Sequence, residues 1–98
     1  MSLLGVASAM GVTTFSLEKL LEGEATFGIS SQLKLSLSVL QDFINGKVNP
    51  IMAGQLGISA STLQELRDKI GKEGAIAFII GLGVKNLSDK GSSYSQSI

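Results

Sequence analysis

The stretch Asn49–Ile70, NPIMAGQLGISASTLQELRDKI, reads as two short helices meeting at a glycine, and the rest of the chain is interpreted around it. Asn49 is a strong N-cap residue, and Pro50 suits the first helical position, where a missing N–H costs nothing. Ile51, Met52, Ala53 and Leu56 then supply one apolar side of the first helix. Gly57 permits the positive φ that such a corner requires. Ser59 caps a second helix, in which Leu63, Leu66 and Ile70 recur at i, i+3 and i+7. Ile58 is placed to plug the corner between the two.

C-terminal to this unit, Gly71-Lys72-Glu73-Gly74 marks a break, read either as a plain interhelical turn or as a hinge on which the next helix repacks. The run Ala75–Val84, AIAFIIGLGV, is apolar on every side, which a surface helix cannot be. It is read as a central helix from about Glu73 to Gly81, fraying towards Leu87; a subunit interface or a fully buried strand would show the same pattern. The last eleven residues, Ser88–Ile98, hold five serines and read as a flexible tail.

N-terminal to the unit, Leu33, Leu35, Leu37 and Val39 alternate with polar residues, a strand period. Leu33, Leu37, Leu40 and Ile44 also form a helical stripe that runs on to the stop pair Asn45-Gly46. Leucine favours helix over strand, so one helix is expected from about Ser31 to Asn45, with a hairpin to the Ala25–Ile29 segment as the competing form. That segment is expected to be a connector burying Phe27 and Ile29. Leu17, Leu20 and Leu21 define a short amphipathic helix after the caps at Thr13 to Ser16, ending near Gly23. Leu3, Val6, Ala7 and Met10 share one face of an N-terminal helix. Ala7-Ser8-Ala9 looks like a cleavage tripeptide, yet no basic residue precedes it and the apolar stretch before it is short, so this segment is read as a helix or arm and not as a signal.

The totals exclude much chemistry. Of 98 residues, 44% are apolar, and eight basic residues balance eight acidic ones. There is no cysteine and no histidine, so thiolate nucleophiles, imidazole bases, disulfides and the commonest zinc ligands are all missing. Glu18, Glu22 and Glu24 crowd seven residues but have no histidine or aspartate nearby, and read as a solvated helix end. Gly81-Leu82-Gly83 leaves too short a chain for a dinucleotide-binding unit. Catalytic, cofactor and metal residues are therefore expected to be none, and the chain is expected not to be an enzyme. Zero net charge weighs against nucleic acid and, with the apolar content, favours self-association or burial on a partner. No run is long enough to span a membrane, and a cytoplasmic location is the default.

The Asn49–Ile70 unit resembles the helix-turn-helix superfamily of DNA-binding domains. Ala53 stands four residues before Gly57, where that family keeps a small residue at the closest helix approach. Ile58, Leu63 and Leu66 fall at its core positions one, six and nine residues after the glycine. The resemblance implies that Ser59, Ser61, Thr62, Gln64 and Arg67 face duplex DNA, with Gln64 able to bond adenine in two places. Glu65 and Asp68 lie on or near the same exposed face, where they repel phosphate.

The expected architecture is an all-α single domain over residues 1–87. It has four to six short helices around the apolar C-terminal helix, with Leu33, Leu37, Leu40, Ile44, Leu56, Leu63, Leu66, Ile76, Phe78, Ile79 and Ile80 as its core. Two functions fit this reading. One is a non-catalytic interaction or assembly module, completed by a second copy or another protein. The other is a small helix-turn-helix DNA-binding regulator.

Overall fold

A short helix is favoured where a side chain can take one of its first free N–H groups, and this chain supplies five such caps. Ser2 accepts from Gly5 N, Thr13 from Ser16 N, Ser36 from Val39 N, Asn49 from Ile51 N and Ser59 from Thr62 N. The computed structural model describes the backbone of residues 2–97 and the side chains of residues 2–89. It holds six helices: α1 (Leu3–Met10), α2 (Thr14–Leu21), α3 (Phe27–Leu33), α4 (Leu37–Ile44), α5 (Pro50–Leu56) and α6 (Ala60–Ser97). No strand occurs among the described residues. From residue 90 on, the side chains of the tail expected at 88–98 lie outside them.

The fold is all-α, as expected, but the expected helix over Ser31–Asn45 does not form. The chain ends α3 at Leu33, turns through Lys34 in the left-handed region (φ 56°), and starts α4 after the Ser36 cap. Lys34 is the one described non-glycine residue with positive φ, a conformation that costs an L-residue roughly 1–2 kcal/mol. The alternation of Leu33, Leu35 and Val39 belongs to this corner: all three are buried, with Leu35 entering the core from the turn itself. Ala25–Ile29 is likewise not a connector throughout, because α3 begins at Phe27. Residues i and i+2 of a helix point to different sides. Ile29 is therefore buried, while Phe27 is 79% exposed instead of buried.

α6 is broken once, at Gly71 (φ 71°, ψ −176°), into an arm over 60–70 and an arm over 72–89 and beyond. The two arms together pack against α1, α3, α4 and α5. Ala75, Ile76, Ile79 and Gly83 are buried on the second arm, and Phe78, Ile80, Leu82 and Val84 are half-buried. Its wet line runs Glu73, Ala77, Gly81, Lys85, so the apolar run meets solvent mainly through its smallest side chains. The arm is the central helix foreseen from the sequence, and its helix continues past Gly81.

Of the expected core, Leu33, Leu40, Ile44, Leu63, Ile76 and Ile79 are buried, Leu56, Leu66, Phe78 and Ile80 are half-buried against it, and Leu37 is half-buried away from it. Met10, Leu17, Leu20, Ile29, Phe43 and Met52 complete the fully buried set. Phe43 is the largest of these and meets Phe78 at 5.7 Å between ring centroids, tilted by 44°. Phe43→Ala is expected to destabilise the fold by about 3–5 kcal/mol, read as a lower urea midpoint. A loss below about 1 kcal/mol would show that the core is not organised around this ring.

Candidate functional site

The two-helix corner forms as its spacing dictates. α5 ends at Gly57 in the left-handed region (φ 73°), whose N–H bonds Gly54 O at 3.1 Å, while Ile58 N donates to Ala53 O at 3.1 Å. Ala53 and Leu63 are buried and Leu66 is half-buried. Ile58 does not plug the corner. Its side chain is 37% exposed, and it is the Ile58 N–H that closes the corner by bonding back to α5.

The five residues expected to face DNA divide into two groups. Ser59, Ser61 and Thr62 are exposed and form a hydroxyl cluster at the start of α6. Ser59 Oγ lies 2.8 Å from Thr62 Oγ1 and 3.1 Å from Ser61 Oγ, besides accepting from Thr62 N. Gln64 and Arg67 turn inward instead. The Gln64 amide accepts from Val48 N at 3.3 Å and donates to Gly46 O and Asp68 Oδ1, both at 3.0 Å. Arg67 is 7% exposed; its Nε donates to Phe43 O at 2.6 Å and its Nη2 to Ile44 O at 2.8 Å. A guanidinium so placed neutralises the last carbonyls of α4, where the helix dipole favours a cation.

This capping is part of a series. Gln32 of α3 donates to Met10 O at the end of α1, and Gln41 of α4 donates to Gly23 O just beyond α2. Gln55 of α5 donates to Lys34 O at the end of α3, and Gln64 and Arg67 of α6 close the end of α4. Each of the first four helices is thus closed by a long polar side chain from the helix two places later. Gln41 also accepts from Ala25 N at 2.9 Å, pinning both ends of the loop after α2. Within this series Gln64 and Arg67 are fold-building groups: both amide hydrogens of Gln64 and the Nε and Nη2 of Arg67 donate to groups of the protein itself.

Two concave surfaces accompany the corner. A groove of about 330 Å³ lies between the α3–α4 turn, α5 and the second arm of α6, with Leu35, Met52, Leu56 and Leu82 among its lining. At its mouth Lys85 Nζ bonds Asp89 Oδ2 at 2.8 Å. That hydrogen bond first, and the carboxylate charge second, raise the Lys85 pKa above the ordinary lysine value. The tether is therefore complete below the ordinary lysine pKa and is lost as pH rises through the raised one. The second surface is an open dish formed by Ala25, Phe27, Leu37 and Gln41.

Large apolar side chains stand in solvent on several helices: Leu4 on α1, Phe15 and Leu21 on α2, Phe27 on α3 and Ile51 on α5. Sequence reading missed Phe27 because it placed Phe27 and Ile29 together in a buried connector; Thr26 makes no side-chain capping bond, so no local cap marks the helix start that separates them. Among the described residues no group of three or more carboxylate, histidine or cysteine side chains is gathered as a metal site. No helix among them is long and apolar enough to cross a membrane.

Arg67→Ala is expected to strip Ile44 O of its partner and leave Phe43 O with only its bond from Gly46 N, at a cost of about 3 kcal/mol in urea unfolding, with Gln64→Ala costing about 1 kcal/mol. An Arg67→Ala protein as stable as the parent would remove Arg67 from the fold and return it to the surface chemistry. Comparison with protein-family models, with curated proteins and with solved structures gives no match for this chain.

Proposed function

We propose that the protein is a non-catalytic interaction or assembly module whose apolar surface is completed by a second copy of itself or by another protein. The observation that carries this reading is the set of large side chains left in water, with Phe27 79%, Leu4 65% and Ile51 63% exposed. Single exposed apolar residues are ordinary, but aromatic and aliphatic side chains presented on four different helices of so small a domain support burial on assembly. Zero net charge removes the repulsion that would keep copies apart. In light scattering, the mass should rise with concentration above the 10.2 kDa of one chain. Phe27→Ser should weaken that association by roughly tenfold, as loss of an aromatic anchor does, with the helical signal intact. A mass that stays at one chain throughout, with no partner retained in a pull-down, would sink the reading.

A second reading, a small helix-turn-helix DNA-binding regulator, draws support from one feature. The Ser59, Ser61 and Thr62 hydroxyls are exposed together at the start of the second helix of the corner. Such a regulator binds duplex DNA with an affinity that falls steeply with salt, and loses it when Ser61 and Thr62 are both replaced by alanine. Fluorescence anisotropy with a labelled duplex tests this, and no binding even at low salt removes it.

A further inference from the structure

The joint between the two arms of α6 is a single residue. Gly71 holds φ 71° and ψ −176°, a region essentially closed to side-chain-bearing residues, and every described residue on either side of it in α6 is helical. A Cβ placed on Gly71 would meet nothing within 4 Å, so its glycine is demanded by backbone conformation alone. Three residues on, Gly74 is demanded by a different constraint. A Cβ there would sit 2.6 Å from Ile70 Cβ and 3.1 Å from Ile70 Cγ1. In a straight helix the Cβ atoms of residues four apart stand about 5–6 Å from each other, so this crowding exists only because the joint is folded. Both glycines are thus required by the folded joint, and neither by a continuous helix, in which each would be a liability of about 1 kcal/mol against alanine.

We infer that this joint is a hinge on which residues 72–89 exchange between two copies of the chain, residue 71 becoming helical and α6 running straight from the Ser59 cap. The inference rests on the self-associating form of the proposed function and gives it a mechanism. An opened arm exposes Ala75, Ile76 and Ile79, which are buried against the body in the closed chain. The surface that matches them is the cleft vacated in a second copy, where Met10 of α1, Gln32 of α3 and Phe43 of α4 meet this arm. Exchange therefore restores the burial of Ala75, Ile76 and Ile79 on a body, and gives up only the contacts across the joint itself, such as Ile70 beside Gly74. Connections of minimal length under conformational constraint are where such swapping is expected.

The chain has no cysteine, so a reporter bond can be introduced cleanly. An ideal Cβ on Gly83 lies 3.4 Å from Met10 Cβ, close to the separation of a disulfide. Met10→Cys with Gly83→Cys should form a bond within one chain when the arm is closed and between two chains when it is exchanged. Adding Gly71→Ala should tighten association by at least roughly tenfold and convert the bond to an interchain one, seen as a covalent dimer in non-reducing denaturing electrophoresis. Independently of that pair, spin labels at Ser61 and Ser88, both exposed, should report a population near about 40 Å that grows with concentration in the parent chain diluted with unlabelled protein. Dimers whose disulfides all stay within single chains overturn arm exchange while leaving surface association standing. Absence of the long-distance population in both the parent and Gly71→Ala overturns it even where the cysteine pair fails to fold. Absence of any dimer in either chain removes the self-associating form of the assembly reading as well.

Discussion

Helices of seven or eight residues cannot close their own ends, and the structure is arranged around that constraint. An α-helix leaves its last four carbonyls without intrahelical partners, which for α1 to α5 is about half of each helix. Helices so short are also unstable in isolation. The chain answers both problems with the same side chains. Gln32, Gln41, Gln55, Gln64 and Arg67 each reach back two helices and donate to a terminal or following carbonyl. Every such bond ties together segments 18 to 24 residues apart, so capping and tertiary assembly are one interaction. Arg67 is the most committed member, since it takes a charge almost wholly out of water to satisfy two carbonyls at once.

The second arm of α6 supplies what these bonds cannot, an apolar surface large enough to organise the short helices. Its buried line, Ala75, Ile76, Ile79 and Gly83, sets how closely α1 can approach, and Gly83 is where Met10 comes nearest. The Asn86 amide adds a polar contact by donating to Gln32 O, next to the residue pair that closes α1. Polar closure and apolar packing thus converge on the same arm. The single residue Gly71 decides whether that arm serves its own chain.

This division bears on the two functional readings. The residues that would contact DNA most specifically, Gln64 and Arg67, are those whose donors close the end of α4. What α6 leaves free on its first arm is a hydroxyl cluster beside Glu65, Asp68 and Lys69, a surface of mixed sign. Apolar groups, by contrast, stand free on α1, α2, α3 and α5. The balance of available surface lies with protein contact, and the assembly module is the function proposed for that reason.

Local sequence determined the helices that carry their own signals: caps at Asn49 and Ser59, a positive-φ glycine at 57, stops at Gly46 and Gly71, and the apolar periodicity of 63–70. These are contacts within a few residues, so their spacing is legible without a fold. Tertiary structure alone decided the rest. Lys34 takes a left-handed turn because Gln55 and the burial of both Leu33 and Leu35 hold it there, and that broke the helix expected over Ser31–Asn45. The direction of Gln64 and Arg67 was equally hidden, since a polar side chain at a helical position can face water or a carbonyl 18 or 24 residues away. Periodicity shows which apolar groups leave water together, but not which distant backbone oxygen a polar group will meet.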